Sequence, residues 1–436
     1  MADFRQYSLN QWLSHIQNQH WRSIDLKLDR IEEVWKKLGG ARSPLVVTVA
    51  GTNGKGSSVA MLESVFRYAG LQTGSYTSPH LVRYNERICI DGQAAPDQLI
   101  LDAFCTIEAT RENIPLTYFE YSTLCALLIF QTQNLDVSVL ETGMGGRLDA
   151  VNMIDNDLAL ITSVGLDHEQ WLGSDREQIG AEKAGVIKPR GVAVCSDPSP
   201  PDSIAKIADS MGATLLQLGT DFHITSDHAD KFISWRSNHQ QIPEDWRQIA
   251  NLQAPFYGVH QRHNLAGVVA ALAVTSEMSQ ISIKHLHRGL DAVTLPARCQ
   301  MICEKPMVIL DVAHNADSAR ELANFLQAHP VDGKTHAVVG ILKDKAPEPV
   351  FSGIVPHVDF WYLASLEGDR GQTAAELAEK FTNIYPDQIV RQFDNPLEAF
   401  TAARQSADNE DRIVVFGSFY TVGDIIEAFE HDSYVL

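Results

Sequence analysis

The sequence shows no Cys-x-x-Cys pair, no apolar run long enough to span a membrane and no pattern typical of a signal peptide. The six cysteines, at positions 89, 105, 125, 195, 299 and 303, form no Cys-x-x-Cys pair, which favours free thiols in a reducing compartment over a disulfide framework. Apolar runs such as Leu124–Phe130 and Leu265–Val274 are too short to span a bilayer. The first residues show no basic stretch followed by an apolar one, so no signal peptide is expected and the predicted location is the cytoplasm.

The sequence also contains fewer positively charged than negatively charged residues. The 436 residues include 35 Lys and Arg against 55 Asp and Glu, a formal net charge of −20. Such a field repels nucleic acids and anionic membranes, so neither is an expected partner. Small anionic ligands remain compatible with it, because a few local cations and metal ions can hold them. The length indicates two domains, which we place at 1–294 and 295–436.

A glycine-rich turn with one lysine is the most informative feature that is present. Residues 46–58 run from a β-branched strand into this turn, and a helix is predicted from about Val59 to Ala69. Backbone N–H groups at such a turn, with the positive end of the helix dipole, favour polyphosphate. Lys55 would reach the outer phosphates and Ser57 would lie near magnesium. Gly56 stands where a hydroxyl residue usually follows the lysine, which argues against most kinases and GTPases.

Short apolar strands alternate with helices along most of the chain, which predicts an α/β fold with a doubly wound, mostly parallel sheet. The first ~40 residues are predicted to be helical, and residues 215–250 to form an excursion of short antiparallel strands or loop. The alternation restarts after Leu290–Arg298, which indicates the connection to a second unit. The predicted strands are Gln72–Tyr76, Asp136–Leu140, Leu158–Val164, Val308–Val312, Thr335–Ile341, Phe360–Leu363 and Ile413–Phe416.

Polar residues follow several of these strands, where ligands bind in open α/β sheets. Glu141 resembles the acidic strand end that supports magnesium in P-loop enzymes, although a cap or an ion pair would also explain it. His168 is a candidate metal ligand or a structural histidine. Lys183 would ordinarily be a solvated residue at a helix end. It would be reactive only if buried near metal, where a lowered pKa leaves a neutral amine.

Eight segments in this order resemble the folylpolyglutamate synthase/dihydrofolate synthase family, a branch of the Mur-type ligases. The resemblance implies a monomeric, ATP- and magnesium-dependent amide ligase with a P-loop domain and a smaller Rossmann-like C-terminal domain. The substrates it implies are ATP, L-glutamate, dihydropteroate and reduced folates, joined through an acyl phosphate. The segments are Gly51–Ser57, Thr77–Leu81, Glu141 with Gly145–Asp149, Asp167–His168, Glu182–Gly185, Leu295–Arg298, Asp311–Asn315 and Val415–Tyr420.

The resemblance also implies roles for individual residues. The ATP-binding positions would be Gly54, Lys55, Gly56, Ser57, Asn264, Arg298 and Asp311. Ser78 and Glu141 would ligate one Mg²⁺, and His168 a second. Lys183 matches a lysine carried as a carbamate, and His314 and Ser418 match positions near the incoming glutamate. Lys55, Lys183, His168 and His314 form the implied catalytic set.

Two segments resemble pterin-contacting parts of bifunctional members. The first segment, 23–29, supplies Asp25, Leu26, Lys27 and Leu28. The second supplies Thr117, Tyr118, Phe119 and Glu120, and Leu148 is a further predicted contact outside both segments. Phe119 and Tyr121 would stack on a ring or belong to an aromatic core at a helix start. Lys27 replaces a glycine associated with its position, which affects this contact alone.

Other functions fit less well. A folylpolyglutamate synthase without dihydrofolate synthase activity is the nearest alternative. A cell-wall Mur ligase would need a nucleotide-sugar-binding domain ahead of the P-loop, where about 45 residues stand. A regulatory GTPase or kinase lacks support, since no Asn-Lys-x-Asp motif is present. A non-catalytic nucleotide-binding module would leave Glu141, His168 and Lys183 unexplained.

Overall fold

The computed structural model describes residues 4–20, 24–226 and 232–430. These residues fall into two compact units, of which the first holds residues up to 79, 84–255 and 261–294. The second holds 80–83, 256–260 and the chain from 295. No helix in the described ranges is long and apolar enough to cross a membrane. The functional roles assigned to the domains 1–294 and 295–436 remain predictions.

The first unit is a mixed α/β structure. Its strands are β1 Leu45–Ala50, β2 Thr73–Tyr76, β3 Ile88–Ile90, β4 Gln93–Ala94, β5 Val137–Glu141, β6 Leu158–Ile161, β7 Val192–Cys195, β8 Thr214–Gln217, β9 Phe222–Ser226, β10 Phe232–Ser237 and β11 Gln248–Gln253. Its helices are α1 Leu9–Gln17, α2 Asp29–Lys37, α3 Lys55–Tyr68, α4 Asp97–Arg111, α5 Tyr118–Gln133, α6 Glu169–Leu172, α7 Arg176–Ala184, α8 Asp202–Ser210, α9 Val259–Ser279 and α10 Ile283–Asp291. Short 3-10 helices cover Phe4–Gln6, Tyr84–Arg87, Ala150–Met153 and Glu244–Trp246.

Eight described strands form its main sheet, in the order β4-β3-β2-β5-β1-β6-β7-β8. Pairing is parallel from β2 to β8 and antiparallel only where β3 and β4 extend one edge. β1 is buried along its whole length, as its Val46, Val47 and Val49 predict for a central parallel strand. β5 and β6 flank β1 on either side, so the segments that follow these three strands meet at one edge of the sheet.

The predicted polar excursion is antiparallel, with β10 between β9 and β11. It begins later than residue 215, because β8 pairs parallel with β7 in the main sheet. Trp235 anchors it, donating from Nε1 to the carbonyl of Ala266 at 3.1 Å. The N-terminal region predicted as helical divides into α1 and α2, and the fully buried Trp12 of α1 packs against Phe104.

The second unit contains a described sheet of six strands in the order β12-β13-β17-β14-β15-β16, parallel except for the β12–β13 pair. Its core includes Trp361, Phe351 and Phe381, whose ring centroids lie 4.6–5.5 Å apart. The strands are β12 Gln300–Glu304, β13 Met307–Leu310, β14 Thr335–Val339, β15 Phe360–Ala364, β16 Val390–Phe393 and β17 Arg412–Phe416. The helices are α11 Ala316–Ala328, α12 Pro347–Ile354, α13 Ala374–Ile384, α14 Pro396–Ser406 and α15 Phe419–Glu430, with a 3-10 helix at Val355–His357.

Candidate active site

The glycine-rich turn leads directly from β1 into α3, which begins at Lys55. Gly54 precedes the helix with φ +88°, a conformation that residues with a Cβ rarely adopt. A Cβ on Gly54 would overlap the side-chain amide of Asn264, so a larger residue at this position would displace Asn264 in addition to straining φ. Helix α3 therefore presents its positive N-terminus to the turn, as the sequence predicts.

The turn is fixed by hydrogen bonds to the segment after β6. Thr52 N donates to the Ser163 carbonyl at 2.6 Å, and Asn53 N donates to Ser163 Oγ at 3.1 Å. In return, Thr162 Oγ1 and Ser163 Oγ donate to the Asn53 carbonyl at 2.7 and 3.0 Å. These long-range contacts hold the backbone shape of the turn.

Lys55 and Glu141 form the charged centre of the turn. Lys55 Nζ donates to the carbonyls of Gly51 and Thr52 at 3.0 and 3.1 Å and lies 4.0 Å from Glu141 Oε1. Glu141 is the last residue of β5 and is 5% exposed. Ser78 N donates to Glu141 Oε2 at 3.4 Å. The structure thus brings the predicted phosphate-binding lysine and both predicted ligands of the first metal together.

The rest of the turn is held from α9. Ser57, predicted to lie near magnesium, is buried and accepts a hydrogen bond from Gln261 Nε2 at 3.1 Å. Asn264 is also buried, and its Nδ2 donates to Gln261 Oε1 at 3.0 Å. Gly56 occupies the first turn of α3. The predicted nucleotide-binding residues of the first unit therefore form one contiguous group.

His168 follows β6 and precedes the short helix α6, with φ +53°. Its backbone N–H donates to Asp167 Oδ1 at 2.8 Å, and its Nε2 lies 4.0 Å from the same oxygen. The side chain is partly exposed, at 30%. The imidazole is therefore accessible to a metal ion or a ligand.

Lys183 is buried, 3% exposed, in the last turn of α7. The expectation of a solvated helix-end lysine is therefore wrong. Burial, and next the positive charge of Lys55, lower the pKa of its amine to about 7, against the opposing charges of Asp167 and Asp149. A large fraction of this amine is neutral at neutral pH, which is the condition for a reactive lysine.

The oxygen donors of this site suit a hard divalent cation. Within the described ranges, no cluster of three or more His, Cys, Asp or Glu side chains could alone hold a metal ion. Mg²⁺ is usually held by one or two carboxylates, water and substrate phosphates rather than by a complete protein cage. The buried carboxylate of Glu141 beside Lys55 matches that pattern. The residues present therefore fit a magnesium ion that is bound together with a nucleotide.

The first predicted pterin segment lies between α1 and α2. Asp25 Oδ2 accepts a hydrogen bond from Arg30 Nη1 at 2.6 Å. Leu26 is partly buried, Lys27 is exposed, and Leu28 packs against the core at the start of α2. Ser23, at the beginning of this segment, lies outside the described residues.

The second predicted pterin segment begins α5. Thr117 and Glu120 form a capping box, with Thr117 N donating to Glu120 Oε2 at 2.7 Å and Glu120 N donating to Thr117 Oγ1 at 3.2 Å. Tyr118 and Phe119 are partly buried. Tyr121 is fully buried and donates to Glu108 at 2.5 Å, so its ring belongs to the core. Stacking of Tyr121 on a ligand is therefore excluded.

Leu148 and Asp149 lie in the loop that follows Glu141. Leu148 is partly buried, whereas Asp149 is 3% exposed and accepts hydrogen bonds from Met144 N and Val151 N at 2.8 and 3.0 Å. Burial raises the pKa of Asp149 to about 6, although these N–H groups oppose the rise. Asp149 therefore fixes the loop from within.

In the second unit, Asp311 directly follows β13. Its Oδ2 accepts from Cys299 N and its Oδ1 from Ala313 N, both at 2.8 Å. Burial raises the pKa of Asp311, which the Cys299 N–H and the charge of Arg298 oppose. The Arg298 guanidinium lies over the Phe419 ring, 5.6 Å from its centroid. Both predicted nucleotide-binding residues of this unit thus lie near one sheet edge.

His314 and Ser418 follow the neighbouring strands β13 and β17. His314 Nδ1 lies 2.8 Å from the Val312 carbonyl, which can only accept, so Nδ1 carries the proton and the neutral ring has its lone pair on Nε2. Ser418 Oγ accepts from Thr421 N at 3.0 Å and is 3% exposed. The ring of His314 lies 6.3 Å from that of Phe419.

Comparisons with known proteins match both parts of the chain. A family model described as the Mur ligase middle domain matches residues 49–273, and one described as the Mur ligase glutamate ligase domain matches residues 297–419. The dihydrofolate synthase/folylpolyglutamate synthase of Escherichia coli is 40% identical over 425 residues, which cover 97% of this chain and 96% of that relative. The chain belongs to the dihydrofolate synthase/folylpolyglutamate synthase family of Mur ligases.

Solved structures of this family have the same fold. Escherichia coli FolC in complex with DHPP and ADP has a TM-score of 0.90 at 39% identity, with 99% of each chain covered. A bifunctional folylpolyglutamate synthase/dihydrofolate synthase with Mn, AMPPNP and L-glutamate bound has a TM-score of 0.87 at 39% identity, covering 98% of this chain and 99% of that one. The predicted family, ligase class and α/β fold are confirmed.

Several residues that shape this ligase site were missed at the sequence level. Thr162 and Ser163 fix the phosphate turn, and Gln261 contacts Ser57. The polar Thr-Ser pair at the end of an apolar strand is a signal that would have found the first two. Gln261 has no comparable signal, because its partner is about 200 residues away along the chain.

Proposed function

We propose that this protein is an ATP-dependent ligase that adds L-glutamate to dihydropteroate and to reduced folates through an acyl phosphate. The observation that supports it most is the phosphate turn, in which Lys55 lies 4.0 Å from the buried carboxylate of Glu141. This arrangement occurs in a chain that belongs to a family of glutamate ligases. The proposal specifies a nucleotide, a divalent metal, a pterin acid and an amino acid as ligands.

The triphosphate of ATP binds to the turn. Backbone N–H groups around Gly54 and Gly56 bind phosphate oxygens, and Lys55 exchanges its contacts with the turn carbonyls for the outer phosphates. Ser57 and Asn264 support the turn. Arg298 and Asp311 bind the nucleoside of ATP. The Arg298 guanidinium, which lies over the Phe419 ring, and the buried carboxylate of Asp311 supply the polar groups for this contact.

Two magnesium ions accompany the nucleotide. Ser78 and Glu141 would hold the first, and His168 would hold the second. When bound, the metal neutralises charge on the phosphates and on the transferred group. Lys55 contributes a fixed positive charge that also neutralises charge on the phosphates.

Lys183 acts as a carbamate. Its neutral amine attacks carbon dioxide, and an N–C bond forms as one C=O π bond breaks. The nitrogen then releases a proton, so a side chain that is a cation when protonated becomes an anion. A buried position and a pKa of about 7 supply the neutral amine that this reaction requires. The carbamate would supply an anionic ligand or organiser for the second metal.

The pterin acid reacts in two steps. An oxygen of its carboxylate attacks the γ-phosphorus, the bond to the bridging oxygen breaks, and ADP leaves. The amine of L-glutamate, having lost a proton, attacks the acyl carbon, and the C–O bond to phosphate breaks to leave an amide. His314 accepts the amine proton at Nε2, and Ser418 binds L-glutamate.

The pterin ring binds between two segments. These contribute Asp25, Leu26, Lys27 and Leu28, then Thr117, Tyr118, Phe119 and Glu120, with Leu148 from the loop after Glu141. Polyglutamylation alone is the second candidate, and an assay with each acid separately distinguishes it from the bifunctional activity. We also propose a cytoplasmic monomer that binds neither nucleic acid nor membrane; light scattering of the purified protein tests its mass.

ADP release by the purified protein tests these proposals. With MgATP, L-glutamate and dihydropteroate we expect ADP and dihydrofolate in equal amounts, and with a reduced folate in place of dihydropteroate we expect ADP and a product longer by one glutamate. Release with the reduced folate alone would support polyglutamylation only. No glutamate-dependent release with either acid would contradict the proposed function.

A further inference from the structure

Arg30 connects the two segments proposed to hold the pterin ring. Its Nη1 donates to Asp25 Oδ2 at 2.6 Å, and its Nη2 donates to Glu120 Oε1 at 3.0 Å. The same Nη2 also contacts the backbone carbonyl of Asp25 at 3.3 Å. One guanidinium therefore bonds the segment before α2 and the first turn of α5, although Arg30 and Glu120 are 90 residues apart in sequence.

The contacts are those of a shielded ion pair rather than a solvated one. The side chains of Arg30, Asp25 and Glu120 are 17%, 13% and 3% exposed. Burial alone would raise the pKa of Asp25, but the hydrogen bond and charge of Arg30, followed by the charges of Lys27 and His20, hold that pKa below its usual value. The second oxygen of Glu120 caps α5 through Thr117 N. Both carboxylate oxygens of Glu120 are thus assigned, and Arg30 links this carboxylate to that of Asp25, which His20 Nε2 also approaches at 3.6 Å.

We propose that Arg30 is a positioning residue for the pterin-binding pocket, which holds the 25–28 segment against the start of α5 and so determines affinity for the pterin acid. The inference rests on the proposed function. A planar fork with separate Nη donors can bond both carboxylates at once. An ammonium group is a point charge and lacks that geometry.

His20 Nε2 would remain 3.6 Å from Asp25 Oδ2, but without Arg30 the carboxylates of Asp25 and Glu120 would lose the one guanidinium that bonds both of them. Their repulsion separates the segments or protonates one of them, since like charges at short range disfavour the charged form. Binding of the pterin acid must then also order the segments, and this lowers affinity for that substrate alone. The phosphate turn is held by separate contacts with Thr162, Ser163 and Gln261.

The test compares KM values of wild type, Arg30→Gln and Arg30→Lys for dihydropteroate, ATP and L-glutamate. We expect Arg30→Gln to raise KM for dihydropteroate by about tenfold, equivalent to about 1.4 kcal/mol, with KM for ATP and L-glutamate within about twofold of wild type. Arg30→Lys should recover less than half of that loss. Equal KM changes for all three substrates, an unchanged KM for dihydropteroate, or full recovery with lysine would overturn the inference.

A second arginine provides a matched control for a structural effect. Arg42 bonds both oxygens of Asp157, at 2.6 and 3.1 Å, near the amino end of β1. Arg42→Gln is expected to lower the melting temperature but to leave all three KM values unchanged. Should Arg30→Gln fail to fold, Arg30→Lys decides the question, because it keeps the charge without the fork and is still expected to raise KM for dihydropteroate selectively. Absence of that selective rise would count against the inference.

The two proposals fail in different ways. Wild-type protein that turns over neither acid contradicts the proposed function and this inference together. Wild-type protein that is active while Arg30→Gln has unchanged selectivity contradicts the inference alone.

Discussion

Replacing Lys183 with methionine tests whether the buried side chain of Lys183 carries a neutral amine. Burial and the charge of Lys55 lower the pKa of this amine to about 7, whereas an unfolded chain has a lysine pKa of about 10.4. Between these values the unfolded chain binds a proton that the folded protein does not. The free energy of unfolding therefore rises with pH in this window.

The size of the effect follows from the same two values. One proton of difference gives a slope that approaches about 1.4 kcal/mol per pH unit, or about 2 kcal/mol between pH 7 and pH 9 because the amine is still half protonated at pH 7. Methionine has a similar length and no charge, so Lys183→Met should lose this dependence. Below pH 7 the variant should be the more stable protein, since burial of the charged amine is avoided.

Urea titrations at pH 7, 8 and 9, in metal-free buffer purged of carbon dioxide, measure the difference between wild type and variant. Lys206→Met is the control, because Lys206 is 73% exposed and its replacement should leave the slope unchanged. Parallel pH dependence in wild type and Lys183→Met would refute the reasoning. Added bicarbonate should stabilise wild type alone if the amine forms a carbamate.

Three further substitutions test the site. Gly54→Ala should weaken ATP binding, measured by calorimetry, at least tenfold, because its Cβ would overlap Asn264. Gly70→Ala is the control, since Gly70 has the same φ of +88° but open space around its Cβ position. This control should lose only about 1 kcal/mol of stability and bind ATP normally. Glu141→Gln should reduce ADP release by about 10²-fold and weaken the apparent magnesium affinity, as expected for loss of a group that stabilises the transition state; retained activity would remove its proposed role. Ser418→Ala should raise KM for L-glutamate and leave that for ATP unchanged, and equal changes in both would contradict a role in glutamate binding.

Much of the fold was predictable because parallel strands and their ends have strong local signals. The buried run of β1 is continuous in β-branched residues, and Glu141 stands at the end of β5. These signals place phosphate, metal and carboxylate groups at one sheet edge without knowledge of long-range contacts.

The missed features depend on contacts that local patterns do not contain. Lys183 has the pattern of a solvated helix end, and only packing by distant segments buries it. Tyr121 was a candidate for stacking, but its neighbours place it in the core. In sequence, Arg30 resembles any surface residue of a polar helix. Its two partners are Asp25, five residues before it, and Glu120, 90 residues after it, and no local pattern connects the three.

The most direct test of the central claim is product formation from dihydropteroate. Purified protein with MgATP, L-glutamate and dihydropteroate should release ADP and phosphate and form dihydrofolate in equal amounts, and Lys55→Met should abolish all three products. ADP release that does not depend on dihydropteroate and L-glutamate, or none at all with either pterin acid, would contradict the assignment of this site to glutamate ligation.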